Sequence, residues 1–180
     1  MPFLREIYEQ QSGMQFGGSF TAGDSLEPLP ILVSDTIVGA IPTVCFEDSV
    51  ARLTRKFVRP GPQVILNVTN DGWFKQSPAA AQHFANAKFR SIELRRPMLR
   101  CANTGISAAV DSAGSSDGHT LLDDKGSHFT RGSMLAEIRV PQQPSFSLFV
   151  VIGDWGILAI SALGFILALK KPKAAIHSTP

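Results

Sequence analysis

The order of apolar and amphipathic segments is the strongest constraint on the fold. Residues 36–45 (TIVGAIPTVC) and 63–71 (QVILNVTND) are apolar and rich in β-branched side chains, which predicts two buried strands. Each is followed by a segment with apolar side chains at helical spacing, residues 49–59 and 77–96. This alternation predicts an α/β fold whose sheet is covered on both faces.

The second predicted helix has clear ends. Ser77 and Pro78 form a favoured N-cap and first-turn pair, and Pro97 stops the helix. Its predicted apolar stripe consists of Ala81, Ala85, Phe89 and Ile92. The sequence MLRCANTGISAAVDSAG that follows predicts a third strand interrupted by a turn, and residues 133–140 predict a fourth.

Composition excludes several functional classes. The chain has 180 residues, which suits one domain with a sizeable core. A net charge of +2 without a basic, aromatic-rich run argues against nucleic-acid binding. Two cysteines and four histidines show no metal-ligand spacing, so we expect no metal and no cofactor.

The C-terminal part contains a long apolar run. It extends from Phe146 to Leu169 with one break at Gly153–Asp154 and ends in KKPK, which predicts a transmembrane helix over 146–170. The lysines after it place a 171–180 tail in the cytoplasm and the 1–145 domain outside it. The alternative is a buried C-terminal core helix.

Polar residues occur where three predicted strand segments end. Cys45 ends the first, Asn70 and Asp71 end the second, and Asn103 and Thr104 lie in the third. In open α/β sheets ligands bind outside the carboxyl ends of the strands, so these residues indicate a site.

Cys45 has two interpretations. Periodicity alone favours a small buried side chain, and the same holds for Cys101. Its position before a predicted helix near Ser49 also suits a nucleophile, with the backbone N–H of Phe46 available to an oxyanion. His83 is predicted on the polar side of its helix, so a cysteine–histidine pair is poorly supported.

Several motifs together are specific: VCFED, LNVTNDGWF, QHFANAKFRSIELRRPMLRCANTGISAAVDSAG and GDW. From Met1 to about Leu169 the chain resembles the carbon–nitrogen hydrolase (nitrilase) superfamily and, within it, the apolipoprotein N-acyltransferases. The resemblance implies a nitrilase-like α-β-β-α sandwich and a Glu–Lys–Cys triad. It makes Cys45 the nucleophile and Glu47 a supporting acid, and it places Trp73, Asn70 and Asp71 near the substrate.

The resemblance also has departures. The chain begins with MPFLREIY, at a segment that follows the triad lysine in the family, so the triad lysine, the triad glutamate and the N-terminal membrane helices have no counterpart in it. Glu6 corresponds to a further supporting glutamate, with its spacing shifted by one. We therefore expect a sandwich that is incomplete at its N-terminus and a chain that is inactive, or nearly so, by itself.

The implied reaction is the transfer of a fatty acyl chain from a glycerophospholipid, through a Cys45 thioester, to the N-terminal diacylglyceryl-cysteine of a lipoprotein. The implied partners are phospholipid, lipoprotein, the membrane and a separate N-terminal half. The implied place is the extracytoplasmic side of the bacterial inner membrane. Two alternatives stay open: an amidase- or nitrilase-type hydrolase that uses water, and a non-catalytic remnant.

Overall fold

One mixed sheet organises the protein. The structure is a computed structural model that describes Gln10 and residues 23–169. The strands, in chain order, are β1 Leu29–Val33, β2 Thr36–Val44, β3 Gln63–Thr69, β4 Met98–Ala102 and β5 Ala108–Val110. The helices are α1 Ala51–Arg55, α2 Ala79–Leu94, α3 Leu148–Ile152 and α4 Trp155–Leu169. Short 3₁₀ helices cover Cys45–Ser49 and Gly72–Phe74.

The spatial order of the strands follows the chain, β1-β2-β3-β4-β5. The three central strands are parallel, and the outer strands β1 and β5 are antiparallel to their neighbours. A two-residue turn at Ser34 and Asp35 joins β1 to β2, and both residues have positive φ, 42° and 63°. Such a turn matches the twist of the flanking strands. The predicted α/β fold is confirmed at this level.

The core lies between the sheet and the helices. Ile41, Ile65 and Met98 from the central strands pack with Phe84 and Leu94 of α2, and all five are at least nine-tenths buried. On the other face of the sheet, several side chains are exposed: Val44, Val68, Leu99 and Cys101. Ala40, Val64 and Ala109 on this second face are nevertheless buried, so within the described residues the expectation of two covered faces is met only in part. A sheet with one helix layer corresponds to half of the predicted four-layer sandwich.

Helix α2 presents the opposite face from the one predicted. Phe89 and Ile92 are 53% and 38% exposed, and Ala81 and Ala85 are exposed as well. The buried residues of α2 are Ala80, His83, Phe84, Ala87, Arg90, Ser91 and Leu94. The predicted apolar stripe was wrong because three of these seven buried residues, His83, Arg90 and Ser91, are polar.

Two further elements differ from prediction. The helix predicted over 49–59 is only Ala51–Arg55, because Val50 has non-helical φ and ψ values of −100° and 83°. Residues 133–140 form no strand, and Leu135 is 98% exposed. Strand preference depends on the packing of side chains against neighbours, and the exposed Leu135 contributes little such packing.

The C-terminal apolar run is divided in two. Gly153, at φ 57°, ends α3, and α4 begins two residues later. Among the described residues, no helix combines the length and the apolar character needed to cross a membrane. The transmembrane helix predicted over 146–170 is therefore not supported, because the break leaves helices of 5 and 15 residues. Lys170 and Lys171 lie outside the described residues.

Candidate active site

Cys45 lies in a tight turn at the carboxyl end of β2. The 3₁₀ helix Cys45–Ser49, which we call the Cys45 turn, begins as the strand ends. Cys45 is half-buried and has a φ of 51°. This left-handed conformation costs an L-residue about 1–2 kcal/mol, so surrounding contacts must hold it.

Two side chains bind the backbone on either side of Cys45. Oε2 of Glu47 accepts a hydrogen bond from the N–H of Val44 at 2.8 Å. The Nδ2 group of Asn67 lies 3.0 Å from Oγ1 of Thr43 and 3.4 Å from the carbonyl oxygen of Cys45, and donates to both. The backbone around Cys45 is therefore held by Glu47 from within the turn and by Asn67 from β3.

A buried group of four ionisable side chains lies behind the turn. We call Asp48, Asp71, His83 and Arg100 the charge cluster; each is at most 3% exposed. Nδ1 of His83 is 2.8 Å from Oδ1 of Asp71, and Nε2 is 2.9 Å from Oδ1 of Asp48. Nη1 of Arg100 donates to the other oxygen of Asp48, and Nη2 lies 3.3 Å from Oδ2 of Asp71.

Each ionisable side chain of the cluster has partners inside it. Both nitrogens of His83 lie at hydrogen-bond distance from a carboxylate oxygen, and Nη2 of Arg100 lies 3.2 Å from Nδ1 of His83. The guanidinium of Arg100 also contacts both carboxylates. Burial of ionisable side chains is tolerated only with pairing of this kind.

The predicted meeting of strand ends is observed. Oγ1 of Thr104, after β4, donates to Oδ1 of Asn70, after β3, at 2.9 Å. The N–H of Asp71 donates to the carbonyl of Thr104 at 3.1 Å, and the N–H of Asn103 donates to the carbonyl of Thr69 at 2.9 Å. Parallel strands bring their carboxyl ends to one edge, which explains this agreement.

The remaining predicted site residues differ in exposure. Phe46 is 61% exposed, and its ring stacks on the His83 imidazole with centroids 5.4 Å apart. Trp73 is 87% exposed, whereas Asp71 is buried in the charge cluster. Glu6 lies outside the described residues. Among the described residues, no group of three or more histidine, cysteine or acidic side chains is arranged to hold a metal ion.

An open cavity of about 790 Å³ lies at the same edge of the sheet. Residues after β3 and β4 form part of its wall, including Lys75, Thr104 and Gly105. Arg131 contributes a second cationic side chain, and the exposed thiol of Cys101 also faces it. The volume is within the range of small-molecule sites, but of the two described cysteines it is Cys101 and not Cys45 that lines the cavity.

Sequence reasoning missed the charge cluster. His83 was assigned to the solvated side of α2, yet it is 3% exposed. One signal was available: His83, Ala87, Arg90 and Leu94 recur at helical spacing, and all four are buried. A second signal was Arg100, a charged residue within the apolar strand β4. Each becomes interpretable only when the partner residues, 12 to 52 positions away, are known.

Comparison with known proteins agrees with this geometry. The model of the carbon–nitrogen hydrolase family matches residues 3–140. A protein named apolipoprotein N-acyltransferase from Geobacter metallireducens is 35% identical over 156 residues, which cover 86% of this chain and 28% of the relative. Proteins of the same name from Thermotoga maritima and Bradyrhizobium diazoefficiens are 34% and 32% identical, over 85% and 89% of this chain.

The chain spans only a small part of these relatives, 26–28% of their length. The match of the family model, in contrast, extends over most of the chain and includes the Cys45 turn, the strand ends and the whole charge cluster. The chain therefore belongs to the carbon–nitrogen hydrolase family.

Proposed function

We propose that the chain carries the cysteine nucleophile of an N-acyltransferase that acts on lipoproteins. The observation that carries the proposal is Cys45, held at positive φ at the carboxyl edge of the sheet in a chain of this family. The relatives named apolipoprotein N-acyltransferase support the choice of acceptor. The acyl donor in this proposal is a glycerophospholipid.

The reaction has two halves. Sγ of Cys45, as thiolate, attacks the ester carbonyl carbon, and the oxyanion receives a hydrogen bond from the N–H of Phe46. The carbon–oxygen bond then breaks, and the lysophospholipid leaves as an alcohol with the proton that the thiol released. The α-amine of the lipoprotein attacks the resulting thioester, the carbon–sulfur bond breaks, and an amide and a free thiol remain.

The other site residues have supporting roles in this proposal. Glu47 holds the backbone before the nucleophile, as its bond to the N–H of Val44 supports. Asn70 and the exposed Trp73 border the substrate, whereas Asp71 acts through the charge cluster. The lysine and glutamate that the family implies come from outside these 180 residues, so we expect the chain alone to be inactive or nearly so.

The proposed reaction takes place at the extracytoplasmic side of the bacterial inner membrane, where both lipid substrates are present. The exposure of apolar side chains along α4 supports contact with lipid. Ile157, Ile160, Leu163 and Phe165 are 57–72% exposed, and a soluble surface rarely displays such a patch.

A hydrolase is the second candidate, because the matching family model is described as a carbon–nitrogen hydrolase. In that case water rather than an amine resolves the intermediate, and the substrate is an amide or nitrile. The same Cys45 would form the intermediate. The two candidates therefore differ in donor and product.

The test is capture of an acyl group on Cys45 from a phospholipid with an alkyne-labelled acyl chain. The 180-residue chain and a version preceded by the upstream segment of the Geobacter metallireducens relative are both incubated in membranes. We expect hydroxylamine-sensitive label on the extended protein, lost in Cys45→Ser and kept in Cys101→Ser. An extended protein that folds and takes no label would reject the transferase, and label released by water but not by a lipoprotein amine would favour the hydrolase.

A further inference from the structure

We propose that the charge cluster positions the nucleophile: it holds Cys45 in its left-handed conformation. This inference rests on the proposed role of Cys45. Asp48, Asp71, His83 and Arg100 are positioning residues, since they act on the turn and not on a substrate. Two separate sets of contacts lead from the cluster to the turn.

The first set acts through Asp48, which is itself part of the Cys45 turn. Its carboxylate is bound by Nε2 of His83 on one oxygen and by Arg100 on the other. Its backbone carbonyl accepts from Nη1 of Arg90 at 3.3 Å. The third residue after Cys45 is therefore fixed from α2 and β4 at once.

The second set acts through Asn67 on β3. Nη1 of Arg100 donates to Oδ1 of Asn67 at 2.8 Å, which fixes the orientation of that amide. The opposite end of the amide then donates to the carbonyl oxygen of Cys45. Arg100 thus contacts both sets, and its planar fork of donors can do so where the single ammonium of a lysine cannot.

The identity of residue 45 offers a direct readout of the held conformation. Glycine adopts positive φ without steric cost, whereas alanine does not. In a turn held at φ 51°, glycine should therefore be favoured over alanine. If the turn is free to relax to negative φ, that preference disappears or reverses, because glycine has more conformational freedom to lose on folding.

The experiment compares Cys45→Gly with Cys45→Ala in three backgrounds of the full 180-residue chain: wild type, Arg100→Lys and Arg96→Lys. Arg96 is a matched control, because it is a fully buried arginine that contacts Gln63 and the carbonyl of Leu94 and, in the part of the chain that the structure describes, makes no hydrogen bond to the turn or the cluster. The measured quantity is the folded-to-unfolded ratio from chemical denaturation. In wild type and Arg96→Lys we expect glycine to exceed alanine about fivefold.

In Arg100→Lys we expect the advantage of glycine to fall below about twofold. An advantage that persists in that background would overturn the inference, because the turn would then hold its conformation without the cluster. If Arg100→Lys does not fold, Asn67→Ala serves in its place, since it removes only the second set of contacts. Here a reduced advantage supports the inference and an undiminished one rejects it.

These measurements need no enzymatic activity. A failure of acyl labelling with a clear glycine preference would reject the proposed function and leave the turn's support intact. If Arg100→Lys and Asn67→Ala leave acyl labelling of Cys45 unchanged, the positioning role is rejected and the proposed function is not.

Discussion

Gly105 lies closer to the charge cluster than any side chain would permit. Its φ is 101°, and a Cβ atom built on it would lie 2.3 Å from Oδ2 of Asp71. The loop after β4 can therefore close over Asp71 only with glycine at this position. The close approach also explains how the N–H of Asp71 reaches the carbonyl of Thr104.

We expect Gly105→Ala to lower the free energy of unfolding by about 3 kcal/mol, from positive φ and the clash with Asp71 together. Gly118→Ala is the matched control, because Gly118 has φ 71° and no atom within 4 Å of the added Cβ. It should lose only about 1 kcal/mol. Equal losses for the two variants, measured by urea denaturation, would contradict the clash.

Glu93 predicts a pH dependence. Burial raises the pKa of its carboxyl group above the ordinary 4.5, against the opposing effect of Arg90, whose Nη2 lies 2.9 Å away. A raised pKa means that the folded protein holds the proton more tightly than the unfolded chain. Ionised Glu93 therefore costs stability, and that cost grows as pH rises from about 4.5 through the raised pKa.

Glu93→Gln should remove this contribution. We expect the variant to have a higher Tm than wild type at neutral pH, and we expect the difference to shrink as pH falls through the raised pKa toward about 4.5 and to vanish below it. Thermal unfolding of both proteins across this range measures it. A difference that stays constant with pH would show that Glu93 does not titrate in this way.

Cys45 could be located from sequence because its position depends on strand ends, which local patterns reveal. The charge cluster could not be located from sequence, because its members come from separate elements. Asp48 lies in the Cys45 turn, Asp71 follows β3, His83 is on α2 and Arg100 is on β4. Hydrophobic periodicity treats every charged residue as a surface residue. The prediction from periodicity therefore assigned the wrong face of α2 to the core and placed His83 on the solvent-exposed face.

At the scale of elements, α1 anchors the chain segment between α3 and α4. Nε and Nη2 of Arg55 donate to the carbonyls of Val150 and Val151, 2.9 and 3.0 Å away. These carbonyls belong to the last turn of α3, where helical partners are missing. Arg52 adds an ion pair with Asp154 at 2.5 Å.

Arg55→Ala should release this anchor. Loss of two charge-assisted hydrogen bonds that are partly exposed should increase local opening about tenfold. Limited proteolysis followed by mass spectrometry would show faster cleavage within residues 145–154. Lys56→Ala, a change in the neighbouring exposed residue, should leave the cleavage rate unchanged; equal cleavage of both variants and wild type would exclude the anchor.

Central strands were the most predictable elements. β2 and β3 are short apolar runs rich in β-branched residues, and burial reinforces that preference. Residues 133–140 also contain regularly spaced apolar side chains and yet form no strand, so composition misled there. The division of the C-terminal run at Gly153 was visible as a break in the sequence, but its left-handed φ was not.

At the scale of the whole molecule, the α/β class followed from the alternation of segments. The number of layers did not, because apolar strands look alike whether one face or both are covered. Val44 and Val68 are apolar and more than half exposed within the described residues. Whether a face of the sheet is covered depends on which other segments pack against it, and the local sequence of a strand does not reveal those segments.

The agreement between chain order and strand order has a kinetic consequence. Among the strands of the described residues none is inserted between two earlier ones, so each new strand adds to the current edge of the sheet. The connections to be closed are a two-residue turn, two crossovers and one short loop, and the entropy lost in closing them is small. We therefore expect the sheet to assemble in the direction of synthesis, with the Cys45 turn held in its left-handed conformation only after Arg100 has left the ribosome.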